Sequence, residues 1–242
     1  MYKRVLLKLS GSALASGEIG YNANSIKHIV KEVENVSKLG VEVGIVIGGG
    51  NLFRGNLSQD WGFEREEADK IGMLATIMNS IFLKEAFLQG EINRVKIMSS
   101  VKIEGIVEGF ERSKAIEYLE KGEVVIFAGG IGQPYVTTDY PSIQRALEIK
   151  ADAVFMAKNG VDGILNGDPR KSVDLQVYKE LSYTDVINEK LKVADMSAFV
   201  LAEEFGLPLH VFNFNLNGAM VDLCKGISVG TKITRDGRKI IY

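Results

Sequence analysis

Cysteine is almost missing from this sequence: Cys224 is the only one in 242 residues. A lone thiol rules out an internal disulfide framework and any cysteine-based metal cluster, and it fits a reducing compartment. Histidine is nearly as scarce. His28 and His210 stand far apart, no H-E-x-x-H or paired histidine suggests zinc, and the two read as a helix-face residue and a strand residue. A surplus of charge is lacking too, since 29 basic residues face 31 acidic ones for a net charge of −2. That balance removes any general attraction to nucleic acid or to an anionic membrane, so phosphate binding must be local. No stretch approaches the ~18 consecutive apolar residues of a membrane span. The strand-like Arg4–Leu9 comes almost at once, without the charged, apolar and cleavage regions of a secretory signal. The expectation is a soluble, cytoplasmic protein.

Familiar signatures are absent as well. There is no G-x-x-x-x-G-K-[ST], no G-x-G-x-x-G opening a helix, and no H-R-D or D-F-G set. Ser10, Ser12 and Ser16 lack a G-x-S-x-G context, which disfavours a hydrolase.

What is present is enough apolar material, 46% of the residues, for a substantial core. No repeat, low-complexity tract or linker divides the chain, so residues 1–242 read as one domain. Strand patterns at Val5–Leu9, Val43–Ile47, Arg94–Met98, Val124–Ala128, Ala153–Ala157 and Leu209–Phe212 alternate with helix patterns at Asn24–Leu39, Glu66–Leu88, Ser113–Glu120, Ile143–Ile149 and Met196–Phe205. Asn24 or Ser25 is the expected N-cap of the first helix, Ser10-Gly11-Ser12-Ala13 a small-residue turn, and Asp236-Gly237 the turn of a closing β-hairpin. Repeated βα units predict an α/β fold, a mainly parallel sheet with helices on both faces, and ligands at the strands' carboxyl ends.

The carboxyl ends carry the chemistry. Gly44–Gly55, GIVIGGGNLFRG, is an apolar strand running into three glycines and then Arg54. Glycines there permit backbone angles closed to other residues and bring bare N–H groups close to an anion, while the guanidinium offers a planar fork of donors. Lys8, in Lys8-Leu9-Ser10-Gly11, is a cation inside an apolar strand and needs a counter-charge. A second glycine run, Gly129-Gly130-Ile131-Gly132, continues through Gln133-Pro134-Tyr135-Val136-Thr137-Thr138 to Asp139, expected to cap a helix. Asn159–Asp168 is a loop of Asn, Gly and Asp, and Asp69 lies near the start of a long helix. Each has a plain structural reading, but together they set two cations, many N–H groups and several carboxylates at one rim, suited to phosphates and Mg²⁺.

These residues carry a resemblance. Lys8-Leu9-Ser10-Gly11, Gly48-Gly49-Gly50-Asn51 with Arg54-Gly55, DKIGMLATIMN at 69–79, PYVTTD at 134–139, AKNGVDGILNGD at 157–168 and Val193-Ala194-Asp195 closely resemble the bacterial uridylate kinases of the amino acid kinase family, over nearly the whole chain from about Lys3 to Thr231. The resemblance implies the three-layer α/β/α sandwich of the amino acid kinase fold. It also implies transfer of the γ-phosphoryl group of ATP to UMP, with Mg²⁺, in pyrimidine nucleotide biosynthesis. By position, ATP contacts fall on Lys8, Leu9, Ser10, Gly11, Gly50, Arg54, Asn159, Leu165 and Asp168, and UMP contacts on Gly49, Asp69 and the run Ile131, Gly132, Gln133, Pro134, Tyr135, Val136, Thr137, Thr138. Lys8, Arg54, Asp139 and Asp195 match positions near the reacting phosphates, and no protein-held metal site is implied. The family further implies a homohexamer, for which the apolar Phe82, Phe87 and Leu88 are the sequence's support, with inhibition by UTP and activation by GTP. Gly17–Asn22 departs from the commoner G-F-G-I-D wording tied to GTP, Ser12 stands where many relatives are acidic, and Ile131 replaces a frequent Thr. Two alternatives stay open: another amino acid kinase acting on a carboxylate or carbamate, and a non-catalytic nucleotide-binding member.

Overall fold

The computed structural model describes residues 1–15, 19–54, 61–167, 175–191 and 193–242. In chain order, β1 (Arg4–Leu9) runs into the single turn α1 (Ser12–Ala15), then α2 (Ala23–Ser37) and β2 (Glu42–Ile47). The long α3 (Arg65–Leu88) leads to β3 (Val95–Ser99) and the two-residue β4 (Glu108–Gly109), followed by α4 (Arg112–Glu120), β5 (Val124–Ala128), α5 (Asp139–Glu148) and β6 (Ala153–Lys158). The last third holds β7 (Tyr178–Ser182), α6 (Tyr183–Asn188), α7 (Met196–Phe205), β8 (Leu209–Asn213), α8 (Ala219–Lys225), β9 (Thr231–Thr234) and β10 (Ile240–Ile241).

The strands form one sheet in the order β10-β7-β9-β8-β6-β1-β2-β5-β3-β4. All neighbours are parallel except β8 with β9 and β7 with β10. Central strands are buried on both faces, so β1 reads as a nearly unbroken apolar run, as parallel strands do. Side chains alternate between two cores. Val5, Leu7 and Leu9 face α2, α3 and α8, while Leu6 faces α4, α5 and α7. Lys8 follows Leu6 on that second face. Strand β6 repeats the pattern: Phe155 and Ala157 enter the first core, Val154 and Met156 the second, and Lys158 follows Met156. Strand period thus directs both ammonium groups to the side of the sheet where α5 begins.

Helix α3 has the length and apolar composition of a membrane span, but Ala75, Ile77, Leu83 and Phe87 are buried in the fold. Of the three apolar residues expected to support assembly, Phe87 belongs to the core and only Phe82 and Leu88 reach the surface. Ile71, Leu74 and Met78 join Phe82 in an exposed apolar stripe, and Tyr21 stacks flat on Phe82 with centroids 3.8 Å apart.

Three other local expectations change. The N-cap of α2 is Asn22, whose Oδ1 accepts from the N–H groups of Asn24 and Ser25 at 3.0 and 3.1 Å; an extended Asn22 can present its acceptor to both, which a residue already inside the helix cannot. Ser12 and Ala13 open α1 rather than finishing a turn. The C-terminal hairpin does not form, because β7 lies between β9 and β10 and pairs with each. Gly237 lets the connection cross the end of β7: a Cβ there would sit 2.1 Å from the Leu181 carbonyl oxygen. Strands β4 and β7 and helices α6 and α8 were not anticipated from the pattern.

Buried on β8, His210 receives Tyr2 beside it, with the phenol oxygen 2.8 Å from Nε2. Burial, with some help from Lys232, pushes the imidazole pKa down to about 3 from its ordinary 6.5. The unfolded chain takes up this proton below pH 6.5 while the folded chain refuses it until about pH 3, so stability falls as pH drops through that window. Between pH 6.5 and 4.5 the wild type should lose roughly 2 kcal/mol more than His210→Gln, at ~1.4 kcal/mol per pH unit before discount. Urea titrations of both proteins at the two pH values measure the difference.

Candidate active site

Lys8, one residue before the end of β1, is almost completely buried, 6% exposed, with Nζ 2.5 Å from Asp139 Oδ1. Asp139 is the first residue of α5, where the helix dipole favours a carboxylate. It does not cap the helix with its side chain; Thr138 occupies the cap position, and the Asp139 carboxylate turns to the lysine instead. Its other oxygen, Oδ2, accepts from the Asp195 N–H at 3.2 Å, and Asp195 Oδ2 accepts from the Thr137 hydroxyl at 2.5 Å. The Thr137 Oγ1 also takes the Asp139 N–H, at 3.2 Å. Lys8, Thr137, Asp139 and Asp195 therefore form one polar chain linking the ends of β1, the second glycine loop and the start of α7.

Lys158 belongs with this group although nothing singled it out in the sequence. Its Nζ donates to the Val193 carbonyl at 2.6 Å. Burial lowers its pKa, repulsion from Lys8 adds to the effect, and Asp139 and Asp195 oppose it. The signal was available as period 2 in β6, which puts residue 158 on the face of Lys8, but its place inside a loop-like AKNG obscured it.

The first glycine loop owes its glycines to contact rather than to unusual angles. None of Gly48, Gly49 and Gly50 has positive φ, contrary to the sequence expectation. A Cβ on Gly11 would fall 2.4 Å from the Gly50 nitrogen, and one on Gly49 would fall 2.8 Å from both Ala75 Cβ and the Gly72 carbonyl oxygen of α3. Gly50 differs, since a Cβ there would meet nothing within 4 Å. Its lack of a side chain serves no contact inside the described chain and leaves the backbone open to a ligand. Arg54 is exposed and folds back on this loop, its Nε donating to the Gly50 carbonyl at 2.9 Å. In the second loop conformation does matter: Gly129, Gly130, Gly132 and Tyr135 all have φ between 56° and 76°.

A cleft of about 550 Å³ opens between the loops and α3, lined in part by Gly49, Gly50, Asp69, Ile131, Gln133, Val136, Thr137 and Thr138. Asp69 is held by Arg65 at 2.9 Å through both oxygens and accepts the Tyr135 N–H at 2.7 Å, closing the cleft's outer end. Gly132, Pro134 and Tyr135 belong to the same loop but do not line the cleft, and the Tyr135 ring is exposed beside Arg65. On the other side of Lys8, Leu9 is fully buried and meets the site only through its backbone, its carbonyl accepting from Gly48 N–H. Ser10 Oγ lies 2.8 Å from Ser12 Oγ. Asn159 lies with Ser12 and His28 along a second, polar cleft of about 500 Å³. Leu165 bridges to Val177 further along the chain. Asp168 lies outside the described residues.

The result is a sheet rim with paired lysines, a glycine loop open to ligand and a neighbouring polar cleft, a site class suited to two phosphate-bearing ligands. The comparisons agree in kind. The profile of the amino acid kinase family matches residues 3–213. A uridylate kinase from Frankia alni is 48% identical over 239 residues, covering 98% of this chain and 93% of that protein. The crystal structure of UMP kinase from Bacillus anthracis aligns with a TM-score of 0.96 at 44% identity, covering 100% of this chain and 99% of the other, and that of UMP kinase from Ureaplasma parvum with 0.88 at 31%, covering 97% and 99%. The chain belongs to the amino acid kinase family.

Two outcomes test this geometry. Asp139→Asn leaves the buried Lys8 ammonium without its carboxylate, with the half-buried Lys158 adding repulsion, and should cost about 3 kcal/mol, because removing one partner strands the other charge; adding Lys8→Met should recover much of it, as urea midpoints of the single and double variants will show. Gly50→Ala should shift the thermal midpoint by no more than about 2 °C, since the added methyl meets open space, while raising nucleotide KM severalfold in steady-state assays.

Proposed function

We propose that this protein is a uridylate kinase, transferring the γ-phosphoryl group of ATP to UMP to give UDP and ADP. The observation that carries the reading is the Lys8–Asp139–Asp195 chain set between two glycine loops, in a chain closely related to uridylate kinases. A phosphate monoester has a second pKa of about 6, so UMP is mostly a dianionic nucleophile at neutral pH and needs no general base. The chain's task is to bring two anions together and to stabilise the charge that moves between them.

Lys8 lies where the transferred phosphoryl group would pass, held there by Asp139 against side-chain freedom. Lys158 supplies a second, poorly hydrated cation beside it, and Arg54 a third at the rim. The N–H groups of Gly49 and Gly50 cradle phosphate oxygens, that of Gly48 being held by the Leu9 carbonyl, with Lys8, Leu9, Ser10, Gly11, Asn159, Leu165 and Asp168 on the ATP side. Asp69 accepts from ribose hydroxyls, which requires it to share or release Tyr135 N–H and Arg65. Gln133, Thr137 and Thr138 give UMP its polar contacts, with Gly49 and the rest of the run Ile131 to Val136 around them.

ATP arrives with Mg²⁺ in this reading. The ion would be carried mainly by substrate phosphates and water. Asp139 and Asp195 are the carboxylates that could reach it, and the bound ion would offset negative charge between the two nucleotides. We also read the exposed stripe Ile71, Leu74, Met78 and Phe82 of α3 as the surface joining copies into a homohexamer, with the cytoplasm as compartment. UTP as inhibitor and GTP as activator complete the proposal.

The test is ATP consumption by the purified protein with Mg²⁺, comparing UMP with CMP, dUMP, acetylglutamate, glutamate, aspartate and carbamate. UMP should be preferred by at least an order of magnitude in kcat/KM, with UDP as product. Preference for an acid would reassign the acceptor cleft, and binding without turnover would make the protein a nucleotide sensor.

A further inference from the structure

The stretch Gly72–Asn79 (GMLATIMN) is among the most distinctive in the sequence, yet none of it enters the chemistry above. In the structure its Gly72, Thr76 and Asn79 lie on the inner face of α3, Gly72 and Thr76 along the cleft, while Leu74 and Met78 are exposed on the other side. Asp69, Gly72, Thr76 and Asn79 recur at spacings of three and four, so they point the same way along the helix. That face runs beneath both glycine loops.

Thr76, 4% exposed, donates its hydroxyl proton to the Met73 carbonyl at 2.7 Å. With the proton committed, Oγ1 acts as an acceptor, and it takes the Gly129 N–H at 2.8 Å. Gly129 is the pivot at which β5 turns into the second loop, with φ of +72° and no room for a Cβ, which would fall 2.7 Å from Ser99 Oγ. Asn79, fully buried, grips the first loop. Its Nδ2 donates to the Gly48 carbonyl and to Asn51 Oδ1, both at 2.7 Å, and its Oδ1 accepts from Asn51 Nδ2 at 3.1 Å. The bond to Gly48 fixes which end of the Asn79 amide is nitrogen, and the reciprocal pair then fixes Asn51. Asn51 Nδ2 reaches Gly20 as well, at 2.9 Å.

We propose that Thr76 and Asn79 are positioning residues with separate assignments: Thr76 sets the second glycine loop and through it the affinity for UMP, and Asn79 sets the first loop and through it the affinity for both nucleotides. The proposal rests on the reading that the cleft beside Gly129–Thr138 takes UMP. The physical basis is that each loop begins at a buried backbone group whose partner is a single side chain of α3. Without that partner, a buried N–H or C=O must move toward water to be satisfied. Because α3 is one rigid rod, it fixes the two loops relative to each other.

The experiment uses Thr76→Val, which keeps the shape and removes the acceptor, Thr76→Ser, which keeps the hydroxyl, and Asn79→Ser, which is too short for the amide pair. KM for UMP and for ATP, and kcat, are measured for each on protein whose folded fraction has been fixed by thermal melting. Thr76→Val should raise KM for UMP about tenfold with KM for ATP within twofold of wild type, Thr76→Ser should restore most of the loss, and Asn79→Ser should raise both constants. If Thr76→Val does not yield folded protein, Thr76→Cys, close in size with only a weak sulfur acceptor, takes its place. A lowered melting temperature with both constants unchanged would make Thr76 a fold residue and overturn the proposal, as would a parallel rise in both constants for a Thr76 variant. Wild-type protein that prefers another acceptor would instead remove the UMP reading itself, a failure visible before any variant is assayed.

Discussion

A buried ammonium must have a carboxylate within reach, and in this fold the requirement sets the arrangement of the whole rim. Lys8 is carried inward by the same two-residue period that builds the core, so it cannot turn to water. Asp139 answers it from the first turn of a helix, where the backbone dipole already favours negative charge. The start of α5, the loop before it and the N-terminus of α7 are then placed by bonds to that one carboxylate and its neighbours. Lys158 sharpens the constraint, because two desolvated cations on one face are tolerable only while the acidic residues stay put. Under the proposed function, a phosphate entering this site would meet positive charge that is already ordered and partly stripped of water, the condition under which electrostatic stabilisation is strongest.

The two glycine loops solve different problems with the same residue. Around Gly48–Gly50 the absent side chain allows backbone to lie on backbone, β1 against β2 and both against α3. Around Gly129–Gly132 it allows left-handed angles that reverse the chain above the sheet. Gly50 alone needs neither, since a Cβ there would meet open space.

Most of the parallel sheet was legible in the sequence, because buried strands such as Val5–Leu9 and Val124–Ala128 advertise themselves as apolar runs ending in glycine. Lys8 was legible for a related reason, since a cation breaks the apolar strand, whereas Asp139 looks locally like an ordinary helix cap and was drawn to the site by the resemblance of PYVTTD to the uridylate kinases. What could not be read were partners that break nothing. Thr76 and Asn79 stand in a distinctive stretch that gives no hint of which backbone groups they hold, Lys158 looks like the start of a loop, and their roles depend on which strands become neighbours. The C-terminal end misled for the opposite reason. Lys232–Thr234 and Lys239–Ile241 flank a strong turn signal, and local chemistry favours a hairpin, but β7 arrives from more than fifty residues upstream and takes the space between them. The capping of α2 by Asn22 instead of Asn24 or Ser25 is a smaller case, settled by which residue is extended.

The central place of β1 has a consequence for how the chain is made. Its two neighbours are β2, close in sequence, and β6, whose Ala153 pairs with Val5. During synthesis the first strand therefore waits, with one apolar edge unpaired, until well over half the chain has emerged. Contacts of such long sequence separation slow folding, and an open parallel edge is the feature through which nascent chains stick to one another. The same strand that carries the buried lysine is thus the one most exposed to misassembly before the fold closes around it.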